Sequence, residues 1–114
     1  MLFICYSKCS TCQKARKLLE SKKIDFKVRD VVIEKLSKEE LDKIIKLSQK
    51  DINKFFNTSG LKYRQLGLKD KLKNLNYDEK LYLLASDGML VKRPILIDEK
   101  NVLIGFKQIE WENL

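Results

Sequence analysis

The apolar residues of the chain fall in short blocks between charged stretches, and the spacing inside each block predicts its element. Leu2-Phe3-Ile4-Cys5 is a continuous apolar run of strand length, the pattern of a strand buried on both faces. Cys12, Ala15, Leu18 and Leu19 then share one face of a helix. It finishes at Lys22 and Lys23, whose charges suit the negative end of the helix dipole. Ile24, Phe26 and Val28 alternate with polar residues and predict a second, half-buried strand. Ser37 with Glu40 three positions on is a capping box, and Leu36 and Leu41 stand where a hydrophobic staple would close. The helix that starts there buries Leu41, Ile44, Ile45 and Leu47.

Asn57-Thr58-Ser59-Gly60 is turn chemistry. Asn76 and Glu79 form a second capping pair, opening a helix through Leu81, Leu84 and Ala85 that Asp87-Gly88 ends. Ile95-Leu96-Ile97 and Val102-Leu103-Ile104, joined by the polar residues Asp98 to Asn101, predict a hairpin, and a short last helix holds Ile109 and Trp111. The order β-α-β, helical block, β-β-α predicts an α/β domain with a mixed sheet, antiparallel at its final hairpin. No repeat or linker interrupts the chain, so residues 1–114 are expected to form a single domain.

Composition narrows the chemistry. The chain is 44% hydrophobic and 35% charged over 114 residues, which suits one folded core. It contains no histidine, so Ser–His and Cys–His pairs and His-ligated metals are excluded. Any catalytic group must come from Cys, Lys, Arg, Tyr or a carboxylate. A net charge of +8 suits either an anionic partner or a solvated lysine-rich surface. The lysines are scattered, with no recognition-helix pattern, so direct DNA binding is not expected. No apolar run approaches the ~20 residues of a membrane span, and the apolar N-terminal segment precedes the basic one, the reverse of a signal peptide. A cytoplasmic, monomeric protein with reduced thiols is the expectation.

The sharpest feature is Cys9-Ser10-Thr11-Cys12, between the first strand and the first helix. A C-x-x-C at a β-to-α junction reads as a thioredoxin-like redox motif. Cys9 would meet the free N–H groups and positive dipole end of the helix, which favour a thiolate, with Ser10 and Thr11 as binding residues at the same turn. Cys12, one turn inside, would be more buried and could resolve a mixed disulfide at Cys9. Residues 1–24 hold six cations against Glu20 alone, which adds to the expected thiolate stabilisation. A zinc half-site and a purely structural cysteine pair are the alternatives. Cys5, inside an apolar strand, reads as an inert core residue. Lys92-Arg93-Pro94 carries the only proline. Thioredoxin folds place a cis-proline beside the reactive cysteine at this point, and Arg93 would then project towards Cys9 to steady a thiolate or bind an oxyanion. A trans proline and a surface ion pair at Arg93 are the alternatives.

Several separated motifs together resemble the arsenate reductase (ArsC)/Spx family over essentially the whole chain. They are Cys9 through Arg16, Phe56 through Gly60, Tyr63 through Leu68, Lys92 through Ile95, and Ile104-Gly105. The resemblance implies a thioredoxin-like fold with a helical insertion over about residues 37–88. It implies a catalytic cysteine at Cys9 and, in the arsenate reductases, electrons from glutathione and glutaredoxin, with no bound cofactor or metal. Of the three arginines that surround the family's oxyanion, Arg93 matches one, and the other two positions fall on Asn57 and Phe106. Arg64 and Lys107 are the nearby cations, and Arg64 is taken as a binding candidate. The added Cys12 is similar to the Spx branch, where two cysteines form a regulatory disulfide and the partner is the RNA polymerase α subunit. Three activities are thus open: a thiol-disulfide oxidoreductase drawing on glutaredoxin or thioredoxin, an arsenate reductase, and a redox-switched regulator.

Overall fold

The computed structural model describes residues 1–114. Its elements are β1 (Leu2–Cys5), α1 (Ser10–Ser21), β2 (Lys27–Asp30), α2 (Lys38–Ser48), α3 (Leu61–Gln65), α4 (Leu68–Lys71), α5 (Tyr77–Ser86), β3 (Ile95–Ile97), β4 (Val102–Ile104) and α6 (Gln108–Glu112). Short 3-10 turns at Ile52–Phe55, Leu72–Asn74 and Gly88–Leu90 connect the helices between β2 and β3.

The strands form one mixed sheet in the order β2-β1-β3-β4. β1 pairs parallel with β2 and antiparallel with β3, and β3 and β4 form the antiparallel hairpin that their sequences predict. Side chains alternate across a strand, and here each face finds its own cover. Phe3, Cys5 and Leu96 pack with Cys12, Ala15, Leu19 and Trp111, so α1 and α6 cover one face. Ile4, Ile95, Val102 and Ile104 pack with residues of α2, α3, α4 and α5 on the other. A sheet covered on both sides explains why these strands read as unbroken apolar runs.

The capping predictions hold in atomic detail. Ser37 Oγ accepts from the Glu40 N–H at 3.1 Å while Glu40 Oε1 accepts from the Ser37 N–H at 3.0 Å, and Asn76 and Glu79 repeat the exchange. The second strand differs from its prediction. It runs from Lys27 to Asp30, so Ile24 and Phe26 precede it, and Val28 is 43% exposed. β2 is the sheet edge, and Phe26 rather than Val28 covers Phe3, with ring centroids 5.6 Å apart in an edge-on contact. Leu47 and Ile109 are exposed as well, because their helices turn Ile44, Ile45 and Trp111 inwards instead.

Gly88 marks the tightest approach between the helical block and the end of the β2 segment. A Cβ there would lie 2.2 Å from the Val31 carbonyl oxygen, a backbone atom that cannot swing aside. Gly88→Ala is therefore expected to destabilise the fold by about 1–3 kcal/mol through overpacking. Urea unfolding against the parent chain measures it, and an unchanged midpoint would show that the loop simply moves.

Candidate thiol site

The site begins with the turn that joins β1 to α1. Cys9 is the N-cap of α1, with extended backbone angles, and its Sγ accepts from the Cys12 N–H at 3.4 Å. A sulfur therefore takes the place that a serine or aspartate oxygen fills at other helix starts. The turn is fastened from both sides. The Cys9 N–H donates to the Tyr6 carbonyl at 2.9 Å, and the Tyr6 N–H donates to Cys12 Sγ at 3.4 Å. Asp30, at the end of β2, accepts from the Ser7 N–H at 3.2 Å, which ties the turn to the neighbouring strand.

These contacts separate the two thiols. Partial burial pushes the Cys9 thiol up, but hydrogen bonds from the Cys12 N–H and thiol, and the adjacent Arg93 guanidinium, outweigh it. The net effect holds Cys9 below the ordinary thiol value. Burial pushes the Cys12 thiol up to about 12, and although the Tyr6 N–H opposes it, the nearby Cys9 adds to the rise. All three cysteines are free thiols, and Cys5 is buried in the apolar layer under α1, its thiol pushed up by burial and by Asp30. No group of three or more His, Cys, Asp or Glu side chains is placed to hold a metal ion.

Arg93 arrives from the other end of the fold. The Arg93–Pro94 peptide is cis, and the buried Pro94 leads directly into β3. The guanidinium lies over the Tyr6 ring, 5.2 Å from its centroid, while its Nε and Nη1 are buried with no hydrogen-bond partner. Cys9, Thr11 and Arg93 line a cleft of about 530 Å³, with Lys92, Asn57 and Phe106 on its walls and no carboxylate. Two backbone links bring those walls together. The Asn57 N–H donates to the Leu90 carbonyl, and the Lys92 N–H to the Phe55 carbonyl, each at 2.8 Å. Phe106 is steadied by an edge-on contact with Trp111, whose indole N–H donates to the Gly105 carbonyl at 3.1 Å.

The structure thus brings Cys9, Thr11 and Arg93 into one cleft, with Cys12 behind Cys9 and Pro94 beneath Arg93. It does not bring Ser10 or Arg64 there. Ser10 is the exposed first residue of α1, and Arg64 stands on the outer side of α3, whose inward residue is Tyr63. The cations of residues 1–24 do not line the cleft either: Arg16 is paired with Glu20, and Lys22 donates to the Glu112 carbonyl. Lys92 and Arg93 supply its positive charge. Lys92 and Ser59 belong to the sequence motifs but carried no site role there, and Met89 had no signal at all, since the pairing of 55–57 with 90–92 leaves no periodic trace.

The ArsC family model matches residues 5–114, and the chain belongs to the ArsC family. The uncharacterised protein YusI of Bacillus subtilis is 47% identical over 98% of this chain and 95% of its own. The regulatory protein MgsR of the same bacterium is 30% identical, covering 93% and 82%. The crystal structure of an ArsC family related protein from Bacteroides fragilis superposes with a TM-score of 0.94 at 46% identity, covering 98% and 94%. The fold is the thioredoxin-like fold of these proteins.

The two thiols should titrate apart. Cys9 is expected to ionise below the free-thiol value, so its reactivity persists at pH values where an ordinary thiol is protonated. Cys12→Ala removes the thiol donor and one source of that lowering, so the Cys9 transition should move to higher pH. Thiolate absorbance against pH tests both, and a Cys9 transition at or above the free-thiol value in the parent protein would contradict the geometry.

Proposed function

We propose that the protein is a thiol-dependent oxidoreductase in which Cys9 is the nucleophile, Cys12 the resolving thiol and Arg93 the cation that binds an oxyanion or steadies the thiolate. The observation that supports it most is the Arg93 guanidinium. Two of its nitrogens, Nε and Nη1, are buried without partners beside the thiol of lowered pKa. Buried donors left unpaired are costly, and an anion in the cleft would relieve that cost.

With a disulfide substrate, the Cys9 thiolate attacks one sulfur. The Cys9–substrate bond forms as the substrate S–S bond breaks, and the displaced thiolate is protonated from water. Cys9 no longer carries charge at that point, so one cause of the raised Cys12 pKa is gone and Cys12 ionises more readily. Its thiolate then attacks Cys9 Sγ, giving a Cys9–Cys12 disulfide and releasing the second substrate thiolate. Two electrons have moved from the dithiol to the substrate, and a thiol donor such as glutathione with glutaredoxin, or thioredoxin, returns them. No histidine is needed, because the helix start and Arg93 activate the nucleophile.

Arsenate could enter the same chemistry, with water lost as the Cys9–arsenic bond forms and arsenite released when Cys12 attacks Cys9. Asn57 and Phe106 stand where two of the family's arginines are expected, and both line the cleft. Each missing charge-assisted contact removes about 1.5–3 kcal/mol of oxyanion binding, so arsenate is a weak substrate in this reading. The relationship to the regulatory protein MgsR favours a second reading, a regulator; the resemblance to the Spx branch implies that Cys9–Cys12 oxidation would switch its affinity for the RNA polymerase α subunit.

Reduction of a small aromatic disulfide should vanish in Cys9→Ser, whereas Cys12→Ser should accumulate a mixed disulfide on Cys9, visible by intact mass. Absence of that adduct would remove Cys12 as the resolving thiol. Asn57→Arg should raise kcat/KM for arsenate at least about tenfold, the equivalent of one restored contact. Retention on immobilised α subunit in only one oxidation state, without disulfide turnover, would favour the regulator instead.

A further inference from the structure

A second cleft, of about 300 Å³, opens beside the thiol cleft and shares Lys92 with it. Lys50, Lys54 and Lys107 join Lys92 around this space, with Asn53 and Thr58 as neutral polar groups. No carboxylate lines it. None of the four lysines belongs to an ion pair, although Lys38, Lys46 and Lys62 do elsewhere on the surface. Asp51 is near in sequence, but its Oδ1 is taken by the Asn53 N–H at 2.8 Å.

The lysines come from three separate parts of the chain. Lys50 and Lys54 flank the start and middle of the 3-10 turn that follows α2, and Lys107 is the N-cap of α6. Lys92 is fixed between them. Its N–H is bonded to the Phe55 carbonyl, and its stem lies against Gly105, where a Cβ would come within 2.8 Å of Lys92 Cε. The fold therefore gathers these charges, where a run of lysines in sequence would merely be solvated. Four lysines with no carboxylate among them give this space an unbalanced positive charge. An anion between them would balance it.

We propose that this cleft is a second anion subsite, which takes a carboxylate or phosphate group carried by the same small thiol or disulfide whose reacting sulfur lies at Cys9. The proposal rests on the thiol chemistry given above for its link to Cys9, and Lys92, common to both clefts, is the structural bridge. A substrate with its reactive end at Cys9 and an anionic tail among the lysines would occupy both spaces at once.

Amide NMR titration of the reduced protein with citrate, and separately with tripolyphosphate, tests the subsite directly. Saturable shifts at Asn53, Lys54, Thr58 and Lys107 are expected. Tighter citrate binding points to a carboxylate tail, and tighter tripolyphosphate binding to a phosphate. Lys50→Gln/Lys54→Gln/Lys107→Gln should weaken that binding at least about tenfold, while the control Lys69→Gln/Lys71→Gln/Lys73→Gln, equal in charge but remote from the cleft, should change it less than about threefold. Non-saturating shifts, or equal losses in both triple variants, would overturn the subsite.

The link to Cys9 is read from two disulfide reagents, anionic dithiobis(nitrobenzoate) and neutral dithiodipyridine. The cleft variant should slow the anionic reagent about tenfold relative to the neutral one, and the control variant should not. Equal slowing by both variants would separate the lysine cleft from the thiol. If Cys9 reacts with neither reagent, the thiol reading fails, and the titration still decides whether the lysines hold an anion.

Discussion

The bond from the Cys12 N–H to the Cys9 sulfur is the contact on which the site turns. It makes one residue both the cap of α1 and the candidate nucleophile, so the helix start is best satisfied when that sulfur is charged. The bond in turn needs α1 to begin where it does. That position is held by Cys12, Ala15 and Leu19 packing on Phe3 and Cys5, and by Trp111 from the far end of the chain. Phe3 and Trp111 are fully buried, and a side chain of that size contributes about 1.5–3 kcal/mol on burial. The helix is thus anchored by its apolar face while its first turn stays available for chemistry.

The rest of the site is assembled from distant segments. Arg93 reaches the thiol because β3 lies beside β1, and Asn57 reaches it because residues 55–57 pair with 90–92. The whole helical block between β2 and β3 packs on the opposite face of the sheet from α1. Its contribution at the thiol end of the sheet is a few wall residues, of which Asn57, Ser59 and Met89 are examples.

Local chemistry made much of this legible in the sequence. The two capping boxes, the apolar strand runs and the Cys-x-x-Cys turn each depend on residues within a few positions of one another, and each stands where expected. Arg93 and the cis bond before Pro94 could be anticipated only through the resemblance to thioredoxin-like proteins. Edge effects were not legible: Val28 alternates correctly, yet it sits on the outer strand, where Phe26 folds back to cover Phe3. Charge counting also misled. None of the six cations of the N-terminal segment lines the thiol cleft, and Arg16 and Lys22 are engaged by Glu20 and the end of α6, whereas Lys92, Lys54 and Lys107 converge near the site only through tertiary pairing.

The link between residues 55–57 and 90–92 divides two properties that many active sites entangle, with Arg93 the residue that touches both. The nucleophile and its cap belong to the β1–α1 turn, while most of what a ligand would touch belongs to this other, cross-linked pair of segments and to the Gly105-Phe106 corner. Substitutions at Asn57 or Lys92 can therefore retune which molecules are accepted without disturbing how the sulfur is ionised. One scaffold can in this way keep its thiol-bearing turn while the walls around it change.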